Sequence, residues 1–257
     1  MKKFIEYSSP WAFLISFSLV SLFLSLISSM KIHEMEITKN NLSLLFSLIM
    51  FLLIMMMWFR DSFRETITGS ISDDILSNTK FAIVLFLISE AFFFVTFFWM
   101  YMYSSLAPEL NHWPPVNLWL PSFMGAPSLN TILLVSSSAT VTMSYFESSN
   151  KNSYSLHWLI FTLILSFMFI SIQALEYMSL PFDFTDGVGG AIFFMATGFH
   201  GMHVIIGTIA LLVCMFVMLK SYFTTYSMIS FELSIWYWHF VDAIWLMLFT
   251  IFYCWGH

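Results

Sequence analysis

Charge is scarce in this sequence. Only 9% of its 257 residues are Asp, Glu, Lys or Arg, whereas a soluble globular domain carries about a quarter, so a water-exposed globule is excluded. With nine Lys and Arg against 15 Asp and Glu, the chain offers no basic surface for a nucleic-acid partner. Cysteine is scarcer still. Cys214 and Cys254 form no CxxC pair, which argues against a cysteine metal centre. They fall near opposite membrane faces if the last two helices run antiparallel, a separation too large for a disulfide. Also lacking are the short alternating segments of an outer-membrane barrel, so helices are left as the structure that satisfies a backbone in lipid.

What is there is apolar and aromatic. The sequence is 59% hydrophobic and 20% aromatic, with a mean hydropathy of +0.84. Phe 31 and Met 19 against Gly 9 hint at the coding bias of organellar synthesis. Apolar runs near 12–30, 42–59, 80–103, 128–146, 156–178, 189–219 and 233–255 predict seven transmembrane helices, each long enough for a core of roughly 30 Å. The polar stretch 61–79 is the natural seam between a two-helix unit over 1–60 and a five-helix bundle over 80–257. Lys2, Lys3, Arg60, Arg64, Lys80, Lys151 and Lys220 fall on the side of the N-terminus, and Lys31 and Lys39 on the other. The positive-inside rule then keeps the N-terminus in the compartment of synthesis. MKKFIEYSSPW has no small-residue cleavage site and no Arg-rich transit character, and reads as the start of a mature first helix.

The third run carries a carboxylate at its middle. Glu90 lies ten residues past Lys80, about 15 Å along the axis, and an unpaired charge at that depth costs at least about 2.5 kcal/mol. It must face protein, water or a lipid headgroup, with Phe86, Phe93, Phe94 and Phe97 as its helical neighbours. Counting rise from the assumed helix ends puts Glu90, His200, His203 and Asp242 at similar depth on three helices. One network is expected from them, with Glu90 paired to His203, and His239 with Asp242 as a second pair or an intrahelical bond. The bland alternative is a set of polar contacts that only hold the helices in register. A two-His, one-carboxylate metal site from His200, His203 and Glu90 or Asp242 is disfavoured by the absence of Glu-x-x-His motifs, and haem by the lack of facing histidines. Glu109 and His112 have metal-ligand spacing, but the prolines around them break the helix it needs. Asp183 and Asp186 begin like a calcium loop whose other ligands are missing. Ser18, Ser21, Ser25 and Ser28 make a small-residue face on the first helix, and Gly190, Thr197, Gly201 and Thr208 a tight seam on the sixth, beside a stripe of Ala196, His200, His203 and Gly207.

Several motifs are more specific than periodicity. SEAFFFVTFFW at 89–99, SSLAPEL at 104–110, SLNTILL at 128–134, QALEY at 173–177, DGVGGAIFFMATGFHGMHVIIG at 186–207 and WYWHFVDAIW at 236–245 together resemble subunit III of cytochrome c oxidase in its mitochondrially encoded form. SPW at 9–11 and WFRDSFRE at 58–65 extend the resemblance toward the N-terminus. The family implies an all-α polytopic fold of seven helices, two plus five, with a V-shaped cleft that holds structural phospholipids. It implies no haem or copper on this chain, since those centres belong to partner subunits I and II. Glu90 resembles the family's carbodiimide-reactive glutamate and His203 the histidine that hydrogen-bonds it, with Trp58, Arg60 and Arg64 as lipid-headgroup contacts. The expected role is a non-catalytic core subunit of the proton-pumping terminal oxidase, multi-pass in the mitochondrial inner membrane. Its N-terminus would face the matrix and its C-terminus the intermembrane space. An independent proton channel with Glu90 as relay is weakened because helices one, two and four offer no ionisable group at mid depth. Subunit III of a quinol oxidase is the third reading.

Overall fold

A computed structural model describes residues 9–30, 37–67, 73–106, 113, 119–120, 122–220 and 225–255. Seven α-helices occupy them: α1 Trp11–Met30, α2 Ile37–Ile67, α3 Asp73–Leu106, α4 Ala126–Ser149, α5 Tyr154–Ser179, α6 Val188–Leu219 and α7 Thr225–Leu248, the last continued by a π-helical turn Phe249–Cys254. Six of these regions are long and apolar enough to cross a membrane. The exception is α4, whose sequence includes SSSATVT. Helices α2 and α3 both reach into 61–79, ending at Ile67 and starting at Asp73. Long apolar helices form here because each closes its backbone hydrogen bonds internally. The chain divides into two compact units, Met1–Ile71 and Ser72–His257.

In the first unit α1 packs on α2. Every serine of α1 donates its hydroxyl to the carbonyl three residues back, Ser18 to Ile15 and Ser25 to Leu22 among them. Of the serine face, Ser18 and Ser25 are buried, and Ser25 meets Ser47 of α2 at 2.7 Å between hydroxyls. Small side chains let the two backbones approach.

In the second unit α4 lies against α5 and α7, α6 against α5 and α7, and α3 against α6 and α7. The polar residues of α4 are its contacts. Trp238 donates its indole N–H to Ser137 at 3.0 Å and Trp245 to Thr131 at 3.1 Å, while Ser138 donates to an Asp242 oxygen at 3.0 Å. Toward α5, Thr140 and Thr162 share a 2.8 Å hydroxyl bond and Ser144 donates to the Ser155 carbonyl. Buried polar groups partnered across an interface are tolerable where lone ones are not.

Two glycines of α6 lie under close approaches: a Cβ at Gly190, a member of the expected seam, would stand 2.8 Å from the Asp183 carbonyl oxygen, and the second is Gly207. A Cβ there would stand 2.9 Å from the Trp238 ring, so only glycine admits the indole. Gly201, expected in the tight seam, instead has open space where a Cβ would project. The DFTDG turn before α6 closes on itself: Asp183 donates its N–H to the Asp186 carboxylate at 2.7 Å, and Asp186 returns its N–H to the Asp183 carbonyl. Gly187 follows at φ +118°, backbone that favours glycine. Cys214 and Cys254 are free thiols. Glu109 and His112 lie outside the described residues.

Candidate functional site: a glutamate and a histidine in the five-helix unit

Glu90 stands at the middle of α3, and its side chain is 26% exposed against 12% for His203. The His203 Nε2 atom is 3.0 Å from Glu90 Oε2, and its Nδ1 is 2.7 Å from the Phe199 carbonyl one turn back on α6. A carbonyl can only accept, so Nδ1 carries a hydrogen. If Nε2 were bare and Glu90 ionised, two lone pairs would face each other at 3.0 Å. One proton therefore sits between Oε2 and Nε2, as neutral acid with imidazole or as carboxylate with imidazolium. Both arrangements are uncharged overall, which removes the cost of a lone ion in lipid.

Aromatic rings fix the imidazole. Phe94 meets it edge-on at 5.2 Å and Tyr237 lies parallel at 6.2 Å. Phe94 and Phe97 are buried, while Phe86 and Phe93 keep much of their surface exposed. The pair lines an open groove of about 420 Å³ whose walls include Phe86, Ile206, Leu233 and Tyr237. The groove is apolar but for that pair, Ser234 and the tyrosine hydroxyl.

The other expected members lie apart from it. His200 is 1% exposed, between the edge of Phe169 and the face of Trp245 at 5.9 and 5.2 Å, and neither of its nitrogens has a hydrogen-bond partner among the described residues. Asp242 is bonded to Ser138 through Oδ2, and its Oδ1 has no hydrogen-bond partner among the described residues, so the expected bond to His239 is not formed. No hydrogen bond among the described residues joins His200 or Asp242 to Glu90. In the first unit Trp58 stacks on Phe59 at 5.9 Å. Arg60 is ion-paired to its neighbour Asp61 at 2.9 Å, and both Arg60 and Arg64 are exposed.

The model of the cytochrome c oxidase subunit III family matches residues 3–257. The chain belongs to that family. It is similar to cytochrome c oxidase subunit 3 of Struthio camelus, 44% identical over 84% of this chain and 85% of the relative. The protein of the same name from Heterololigo bleekeri is 40% identical over 98% and 96%, and that from Rhizopus stolonifer 39% over 97% and 89%. Among the described residues no group of three or more His, Cys, Asp and Glu side chains could hold a metal ion.

Sequence reasoning passed over a second buried carboxylate. Glu176, placed near the end of the fifth helix with Gln173, is 4% exposed and accepts the Tyr253 hydroxyl at 2.7 Å. Gln173 is 6% exposed and accepts from the Asn130 amide at 3.1 Å. Their signal was the spacing of three, which puts an amide and the helix's one acid on a single face of α5.

Proposed function

We propose that this chain is a non-catalytic core subunit of the terminal cytochrome c oxidase, respiratory complex IV, in the mitochondrial inner membrane. A family match from residue 3 to residue 257 carries the reading. On it, the chain assembles with subunits I and II and accessory subunits, which keep the haem and copper and perform oxygen reduction coupled to proton pumping. All seven helices cross the bilayer, α4 included because its polar side is partnered by α5 and α7. The N-terminus faces the matrix and the C-terminus the intermembrane space. The two-helix and five-helix units form a V-shaped cleft that holds phospholipid. Trp58 and the guanidinium forks of Arg60 and Arg64 take headgroup phosphates, for which arginine is well shaped.

The Glu90 and His203 groove adds support for proton uptake and an apolar path for oxygen to the catalytic subunit. Apart from that pair, Asp242 holds α7 to α4 in register through Ser138, and His200 and His239 serve as packed side chains of α6 and α7. Purification through a tag on this chain tests the core claim: subunits I and II with haem and copper should co-purify and consume oxygen. A tagged, membrane-inserted chain recovered without them would overturn it. The oxygen path is tested separately by widening groove side chains, as in Ile206→Trp, which should raise the oxygen concentration needed for half-maximal turnover. An unchanged value would remove that part alone.

A further inference from the structure

We infer that the five-helix unit contains a buried water-binding site built by Asn130, Gln173 and Glu176 and closed by Tyr253. Asn130 lies in the first turns of α4, Gln173 and Glu176 on one face near the end of α5, and Tyr253 in the π-helical turn that ends α7. All four are at most 6% exposed. The Asn130 amide donates to Gln173 Oε1 at 3.1 Å and the Tyr253 hydroxyl to Glu176 Oε1 at 2.7 Å. Gln173 and Glu176 are three residues apart on one face of α5, which brings the two bonded pairs together as one cluster. What remains is complementary: Asn130 Oδ1 is an acceptor, Gln173 Nε2 a donor, and Glu176 Oε2 an acceptor when ionised and a donor when protonated, and none has a partner among the described residues. A water, with two hydrogens and two lone pairs, meets the three atoms in either protonation state, and about three hydrogen bonds is the usual complement of a buried water. No Lys or Arg faces the cluster in any described hydrogen bond or ion pair, so water is the ligand that matches the set without adding charge.

The π-helical turn is part of the site. Its wider coil, with Trp255 donating its N–H to the Thr250 carbonyl five residues back, puts Phe252 and Tyr253 both at 0% exposure. π-Turns of this kind are common at functional positions. A structure of the assembled complex at water-resolving resolution should show a solvent peak within hydrogen-bond reach of Gln173 Nε2 and Glu176 Oε2. Gln173→Leu should reduce that peak to background, and Tyr253→Phe should leave it. Glu176 Oε2 and Gln173 Nε2 bonded directly to each other with no peak would overturn the inference, as would a peak unchanged in Gln173→Leu. If Gln173→Leu fails to assemble, the unmodified complex still decides by the presence or absence of the peak.

Discussion

The two units solve the same problem, polar side chains between helices in lipid, in opposite ways. In the first, every serine of α1 already spends its hydroxyl hydrogen on its own helix, and α1 meets α2 where the Ser25 and Ser47 hydroxyls stand 2.7 Å apart. In the second, an indole N–H has no carbonyl of its own helix within reach, so Trp238 and Trp245 are satisfied only by Ser137 and Thr131 of α4. Self-sufficient serines permit close contact without specifying it; partner-dependent tryptophans specify it. The second unit is accordingly where register is set.

The sharpest way to break this contrast is at Trp238. Trp238→Ala should destabilise the five-helix unit by about 3–5 kcal/mol, the usual cost of emptying a buried aromatic site, and appear as loss of the chain from the purified complex on mild heating. A complex as heat-resistant as the wild type would mean that α4 is not held through α7. Next comes Glu90→Gln, which keeps a hydrogen bond to His203 but removes the mobile proton. Assembly should survive, with turnover lowered by less than about tenfold, or 1.4 kcal/mol; abolished oxygen reduction in a fully assembled variant would make Glu90 catalytic. Ser25→Ala should cost about 0.6 kcal/mol, typical of a hydrogen bond between membrane helices, measured as a small change in the denaturant needed to unfold the chain. Smallest is Lys80→Gln. The 2.8 Å ion pair with Glu232 is partly solvated, and such pairs contribute about 0–1 kcal/mol, so the same titration should barely move.

Much of the helical layout is legible in the sequence because lipid leaves the backbone so few options. The apolar run at 189–219 is the helix Val188–Leu219, and 12–30 is Trp11–Met30. Polar stretches were harder: 61–79 reads as a connection, yet α2 and α3 extend into it, since solvated residues are also compatible with helix. Counting rise already paired Glu90 with His203, the resemblance implied the same pair, and the structure holds them at 3.0 Å. His200 shows the limit. Counting rise gives depth, but azimuth depends on which neighbour fills each side, and three residues of α6 separate a ring facing α3 from one enclosed by Phe169 and Trp245. Glu176 was hidden for a related reason: nearness to a helix end says nothing of burial when another segment folds over it.

The hydrogen bond from His203 to the Phe199 carbonyl has a consequence for the groove it borders. With one nitrogen tethered, the ring cannot flip, so a transfer between Oε2 and Nε2 turns a weak dipole into a strong one, its negative end always on α3. No ion has to enter or leave. Whatever lies in the groove would feel an internal polarity that changes while the net charge of the membrane interior stays at zero.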